Sequence, residues 1–225
     1  MILYYHPLSS YCWKVLIAFY ESGIPFERRM LEADGVAQQW QALWPLGKFP
    51  VLRDPARDTT VAEASIIIEY AAIHEPGTFR PIPADPDAAL ETRLMDRLFD
   101  NYVMAPMQAL VLDRMRPEHR RDSLAVEQAG AMLGRAYALI EGRIAGRTWA
   151  AGDSFTLADC AAAPSLFYAD KIVPLRSDHP ALAAYLDRLL ARPSFARVLE
   201  EKEPWWSMFP FADGPLEPQR AAAAD

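Results

Sequence analysis

Apolar residues recur along the chain in two rhythms, and the change between them is the first clue to its architecture. Ile2-Leu3-Tyr4-Tyr5 is a short run of strand formers. After the loop His6 to Ser10, the residues Cys12, Val15, Leu16, Phe19 and Tyr20 return at helical spacing, and Gly23 stands where a helix would end. Ile24 to Met30 reads as a second strand, at a sheet edge because Pro25 has no N–H to donate. A weak helical pattern covers Ala37 to Leu43, and Val51-Leu52-Arg53 starts a third strand. Asp54 to Asp58 is a turn, and Thr59 to Ala62 is the returning strand of a hairpin. Glu63 to Ala72 is helical, with Ile66, Ile67 and Tyr70 as the expected buried stripe. The predicted order is β-α-β-α-β-β-α, a small α/β unit.

Pro76-Gly77 then opens a stretch containing Pro81, Pro83 and Pro86, the composition of a linker. Beyond it the pattern is helical throughout. Helices are predicted over Ala88–Leu112, with a kink at Pro106, and over Leu124–Ile144, Thr156–Tyr168, Pro180–Ala191 and Ser194–Lys202. The Ala221–Ala224 tail should fray. The expected division is an α/β unit over 1–76, a linker over 77–87 and an all-helical unit over 88–225.

Composition narrows the class. The 225 residues are 52% hydrophobic and 24% charged, enough apolar material for a sizeable core. The net charge is -7 and neither half is basic, which disfavours a nucleic-acid surface. No stretch reaches the roughly 18 apolar residues of a membrane span, and Met1 to Tyr5 lacks the features of a signal peptide. Two distant cysteines, Cys12 and Cys160, imply no disulfide framework and suit a reducing, cytoplasmic setting. With four scattered histidines they also provide no metal-ligand spacing, so no metal is expected.

Three segments carry candidate chemistry. Ser9-Ser10-Tyr11-Cys12 lies at a strand-to-helix junction, where free backbone N–H groups and the helix dipole stabilise a thiolate. Ser9 occupies the first position of a Cys-x-x-Cys spacing, so a hydroxyl stands where a reactive thiol would sit and can hydrogen-bond a thiolate brought by a ligand. Ser9 or Ser10 also serves as an ordinary helix cap, and Cys12, one turn in, as a packing residue. In Lys48-Phe49-Pro50-Val51, a cis bond at Pro50 would free the Phe49 backbone to pair with an extended peptide; a trans proline starting an edge strand is the other reading. Glu63-Ala64-Ser65 opens a helix whose N–H groups suit a carboxylate, or whose residues simply complement the dipole.

A thiolate pocket, a peptide-pairing edge and a carboxylate cradle together describe glutathione, and the chain resembles the cytosolic glutathione transferases over nearly its whole length. Ser9-Ser10-Tyr11-Cys12-Trp13-Lys14-Val15 is similar to the Ser-Ser-Cys-Ser-Trp-Arg-Val segment of zeta-class members. Pro45-Leu46-Gly47-Lys48-Phe49-Pro50-Val51-Leu52 resembles the family's N-P-x-G-K-V-P-x-L loop. Glu63-Ala64-Ser65-Ile66-Ile67-Ile68-Glu69-Tyr70 resembles its E-S-x-x-I-x-x-Y pattern, with Ala64 in place of the family's serine. Gly152-Asp153-Ser154-Phe155-Thr156-Leu157-Ala158-Asp159 resembles its G-D-x-x-T-x-A-D signature, in which Thr156 and Asp159 form a structural capping box.

The resemblance implies a thioredoxin-like α/β domain followed by an all-α domain. It implies glutathione as co-substrate, a small hydrophobic electrophile and a homodimer. Ser9 would stabilise the thiolate, with Tyr5, at the position used by tyrosine-type classes, and Ser10 as rivals. Pro50 would be cis, Phe49 would pair with the cysteinyl unit, and Lys48 would lie near the glycyl carboxylate. Glu63 and the N–H groups of Ala64 and Ser65 would face the γ-glutamyl carboxylate. Asp100 would be a helix-surface acid or would reach the γ-glutamyl amine across the dimer. Pro204-Trp205-Trp206-Ser207-Met208-Phe209-Pro210 resembles the aromatic tail of bacterial members and would edge the substrate pocket or pack on the domain. Glutathione conjugation is the leading function, with a maleylacetoacetate isomerase-like activity and a non-catalytic, regulatory role as alternatives.

Overall fold

The computed structural model describes residues 1–75 and 77–215, so Pro76 and the Ala221–Ala224 tail lie outside the described residues. The first unit contains β1 (Ile2–Tyr5), α1 (Ser10–Ser22), β2 (Glu27–Met30), α2 (Val36–Leu43), β3 (Val51–Asp54), β4 (Thr59–Ala62) and α3 (Ala64–His74). The sheet order is β2-β1-β3-β4, with β1 and β2 parallel and the other neighbours antiparallel. With helices on both faces, this is the thioredoxin-like arrangement the resemblance implies.

Period-two alternation sorts the side chains. Leu3, Leu52 and Val61 stand in register and join the core under α1 and α3. Tyr4 and Val51 point to the other face and pack with Trp40 of α2. The edge strand is shorter than the pattern suggests, starting at Glu27, because Ile24-Pro25-Phe26 only approaches the ladder. The buried face of α3 is also different from the expected one. Ala64, Ile67, Ile68 and Ala71 are buried, whereas Ile66 is 54% exposed. Three consecutive isoleucines do not fix the phase of a helix; the small residues at 64 and 71, where α3 meets its neighbours, do.

The second unit is α4 (Pro86–Leu98), a π-helical stretch (Phe99–Met104), α5 (Ala105–Met115), α6 (Ser123–Ile144), α7 (Leu157–Ile172), α8 (Pro180–Leu190) and α9 (Pro193–Glu201). Asp85 and Asp122 cap α4 and α6 by accepting from Ala88 and Ala125 N–H at 2.9 and 3.0 Å. The break expected at Pro106 falls upstream, in the π-helical turn. Its i→i−5 pattern shifts the helix register just before the residue that cannot donate. None of the described helices is long and apolar enough to cross a membrane.

Helix α7 is the axis of the molecule, buried from Leu157 to Leu166 and packed against α1, α4 and the π-helical stretch. Its N-terminus carries the capping box. The Asp159 carboxylate accepts from Thr156 N–H at 2.8 Å, Thr156 Oγ1 at 3.1 Å, Ala150 N–H at 2.9 Å and Tyr185 Oη at 2.6 Å. Asp159 thus closes the cap, ties down the 150s loop and anchors α8. Asp159→Ala would leave buried donors without an acceptor. Urea unfolding should report a loss of about 3 kcal/mol, well beyond the ~1 kcal/mol of an ordinary cap.

Candidate functional site

The loop between β1 and α1 is held from both units. Trp13 Nε1 donates to the Pro7 carbonyl at 2.6 Å, and Tyr168 Oη of α7 donates to the Leu8 carbonyl at 2.8 Å. His6 Nδ1 accepts the Leu8 N–H at 3.1 Å and its Nε2 lies 3.1 Å from Glu32, which fixes the neutral tautomer with hydrogen on Nε2. Burial lowers the His6 pKa, opposed by Glu32. At the end of this loop Ser9 caps α1, its Oγ accepting from Cys12 N–H at 3.3 Å. The Ser9 hydroxyl proton is left to donate, and the N–H groups of Ser10 and Tyr11 have no partner among the described residues.

Two cavities meet there. A polar one of about 390 Å³ is lined by Ser9, Lys48, Phe49, Pro50, Glu63 and Ala64 from the α/β unit and by Arg97, Asp100 and Gln108 from the helical unit. The Phe49-Pro50 bond is cis, and the N–H and C=O of Phe49 have no backbone partner among the described residues. Trp40 Nε1 donates to the Lys48 carbonyl at 3.0 Å and holds this loop, while Gly47 takes the φ of 65° that its turn requires. Glu63 is a non-glycine residue at φ 68° opening α3. Such a backbone persists only where its surroundings hold it, and here it opens α3 at the cavity, which Glu63 and Ala64 line.

The second cavity, about 270 Å³, is apolar. Ser9, Ser10, Tyr11 and Phe49 form its floor, Met107, Val111, Leu112 and Met115 of α5 one wall, and Met208, Phe209 and Pro210 the rim. The aromatic tail therefore does both things expected of it. Met208 to Pro210 edge the cavity, and Trp206 packs on Phe167, Tyr168 and Phe209.

The structure gathers Ser9, Ser10, Lys48, Phe49, Pro50, Glu63 and Ala64 at these cavities. Tyr5 lines neither; it sits half-buried on β1, where desolvation raises its phenol pKa. Cys12 is fully buried and its thiol is pushed up to about 12 by that burial, as befits a packing residue. Ser65, expected to offer its backbone N–H, lines neither cavity, and its hydroxyl is engaged elsewhere. Its hydroxyl accepts from Lys14 Nζ at 2.8 Å and from Arg97, and donates to Asp96 at 2.9 Å. One donor and two lone pairs are all a hydroxyl has, so Ser65 Oγ has no capacity left for a ligand.

Asp100 is likewise not a surface acid. It is 6% exposed, and its Oδ2 pairs with Lys14 at 2.7 Å and Arg97 at 2.7 Å within the same chain. Its Oδ1 is buried without a hydrogen-bond partner among the described residues, and the residue lines the polar cavity. Burial raises its carboxyl pKa, with Lys14 opposing. Lys14, 1% exposed, completes the cluster through Asp96 Oδ1 at 2.5 Å. Sequence reasoning passed over Tyr11, Arg97 and Gln108, which also line the cavities. Gln108 had a visible signal, as the polar member of an otherwise apolar helical stripe with Val111, Leu112 and Met115.

Known proteins with the same features are consistent with this geometry. Residues 3–79 match the family description "Glutathione S-transferase, N-terminal domain" and residues 101–193 match "Glutathione S-transferase, C-terminal domain". The chain is 27% identical to glutathione S-transferase F13 of Arabidopsis thaliana, covering 88% of this chain and 94% of that one. It is 29% identical to FtsZ-localized protein A of Caulobacter vibrioides, covering 90% and 92%. It superposes on a glutathione S-transferase of Methylobacillus flagellatus crystallised with glutathione bound, with a TM-score of 0.79, 27% identity and coverage of 88% and 98%.

The cluster at Lys14 makes a measurable demand on stability. Lys14→Met removes one cation and leaves two buried carboxylates to share Arg97. Chemical denaturation should show a loss of about 3–5 kcal/mol, the penalty for breaking a buried ion pair from one side.

Proposed function

We propose a function for a chain that belongs to the glutathione S-transferase family: it binds glutathione in the polar cavity and activates it as a thiolate for attack on a small apolar electrophile. The observation that carries this reading is the meeting of the two cavities at Ser9, where a free hydroxyl proton and two unpaired N–H groups converge.

Each part of glutathione has a counterpart. The peptide backbone of its cysteinyl unit pairs with the free N–H and C=O of Phe49. The γ-glutamyl carboxylate meets the N-terminus of α3 at Ala64, and its ammonium lies toward Asp100, which lines the same cavity. Lys48 stands at the other end for the glycyl carboxylate. The sulfur then lies at the start of α1. The Ser9 hydroxyl and the helix N–H groups favour thiolate over thiol and lower its pKa. The thiolate attacks an electrophile held in the apolar cavity, so the chain contributes orientation and electrostatics and forms no covalent bond itself. Among the described residues no lysine or arginine lines that cavity, which supports an apolar electrophile over the diacid an isomerase of the maleylacetoacetate type would hold.

Titrating the glutathione complex by thiolate ultraviolet absorbance tests this. The bound thiol should ionise well below free glutathione. Ser9→Ala removes one hydrogen bond to a charged group, worth about 1.5–3 kcal/mol, so the bound-thiol pKa should rise by about 1–2 units. Activity follows the thiolate, so a depressed thiol pKa extends it to lower pH, and in Ser9→Ala the pH profile moves to higher pH. Glutathione that fails to bind, or binds with an ordinary thiol pKa, would instead favour a non-catalytic role.

We propose that the homodimer forms through the outer faces of α3 and α4, which carry exposed Ile66, Ile73, Leu90 and Leu94 and are joined by the Arg93–Glu69 ion pair at 2.7 Å. Leu94→Glu should convert the protein to monomer in sedimentation velocity.

A further inference from the structure

We propose that Arg97 reads the γ-glutamyl carboxylate of glutathione, at a position where neither Ala64 nor Ser65 has a hydroxyl to offer. The inference rests on the glutathione-binding reading above and names a specificity-determining residue of the same cavity.

Ala64 is the first residue of α3 and has no polar side-chain atom. The hydroxyl of Ser65 is filled by Lys14, Arg97 and Asp96. Glu63 lines the polar cavity beside Ala64. A carboxylate brought to the start of α3 thus meets a like charge next to it, which the helix dipole and backbone N–H groups must outweigh. The position calls for a cation, and Arg97 stands beside it.

Arg97 belongs to α4 and lines the polar cavity together with Glu63 and Ala64. Its Nη2 donates to Ser65 Oγ, which places the guanidinium against the start of α3. Nη2 also reaches Asp96 at 2.6 Å and Asp100 at 2.7 Å, and Nε reaches Asp96 at 3.1 Å. Nη1 has no partner among the described residues. The side chains of Lys14, Asp96 and Asp100 are buried, whereas that of Arg97 is 48% exposed. Arg97 is therefore the member of the cluster that opens to the cavity, with the N–H groups of Nη1 left to donate. A planar guanidinium already held at Nε and Nη2 loses little freedom when Nη1 takes a further acceptor.

Charge balance sets what kind of ligand group fits. Lys14 and Arg97 already neutralise Asp96 and Asp100. A bare anion would leave this part of the protein with an excess negative charge. An α-amino acid headgroup brings its own ammonium with the carboxylate. With the carboxylate on Arg97 and the ammonium toward Asp100, no net charge is added. The γ-glutamyl end of glutathione is such a headgroup, and Arg97 selects it by the free α-carboxylate.

The test measures binding of two ligands to the full chain by isothermal titration calorimetry. One is S-hexylglutathione. The other is the S-hexyl derivative of γ-aminobutyryl-cysteinylglycine, which keeps the amine and lacks only the α-carboxylate. The hexyl group occupies the apolar cavity in both and keeps weak binding measurable. Arg97→Gln should weaken S-hexylglutathione about 10–100-fold, the range for losing a hydrogen bond to a charged group. It should not weaken the analogue, which also certifies that the variant is folded. If Arg97→Gln does not fold, Arg97→Lys serves instead. It keeps a cation for Asp96 and Asp100, has no second nitrogen to offer, and should show the same selective loss at about 10-fold. Equal losses on both ligands, no loss on either, or a wild type that binds both equally would each overturn the assignment. A wild type that binds neither would instead overturn the glutathione reading itself, and the role of Arg97 with it.

Discussion

A lysine ammonium that is 1% exposed survives inside a protein only if acids come to meet it. Lys14 lies on α1, five residues after the cap at Ser9. Its partners are Ser65 at the start of α3, Asp96 on α4 and Asp100 in the π-helical turn, at 2.8, 2.5 and 2.7 Å. One buried charge therefore sets the relative positions of the two helix N-termini and the helical wall. These are the surfaces that enclose the polar cavity. Arg97 balances the second carboxylate at 2.6 Å from Asp96 and 2.7 Å from Asp100, so two cations face two anions and no net charge is stranded.

Much of the α/β unit was legible because strand alternation and helix punctuation are local. Ser9, Gly23 and Pro25 mark boundaries by what each backbone can or cannot do. The cis bond at Pro50 and the capping box at Asp159 followed from motifs resembling a known family, and both are present. The misreadings arose where a local pattern was degenerate. The Ile66-Ile67-Ile68 run is compatible with several helix phases, and only packing against α1 chooses one. Pro106 announced a break but not where along the helix it would be absorbed. Asp100 read as a surface acid because its partner is 86 residues away in sequence, and no spacing rule reaches across units.

Ser65 shows how a site can keep its form while its atoms change employment. The family serine is Ala64 here, and the adjacent hydroxyl is fully occupied by Lys14, Arg97 and Asp96. A ligand carboxylate at this position would meet backbone N–H groups and the α3 dipole instead of that hydroxyl. These are fixed by Glu63 in its left-handed conformation, φ 68°, and cost no reorganisation on binding.

The chain also removes its own sulfur from the chemistry. Cys12 and Cys160 are completely buried, and burial raises both thiol pKa values. The start of α1 would ordinarily depress the pKa of a cysteine at its cap; with Ser9 there, that stabilisation is available only to a thiol arriving from outside. Reactivity and selectivity are then separate. On the proposed reading, Ser9 and the helix start govern whether the incoming sulfur is ionised. On the same reading, what it meets is set by the apolar cavity, which Phe49, Gln108 and the methionine-lined face of α5 help to line. On that reading, variation along α5 and the 208–210 rim would redirect the chemistry without disturbing the thiolate, since neither element contributes to the Lys14 cluster that holds α1 in place.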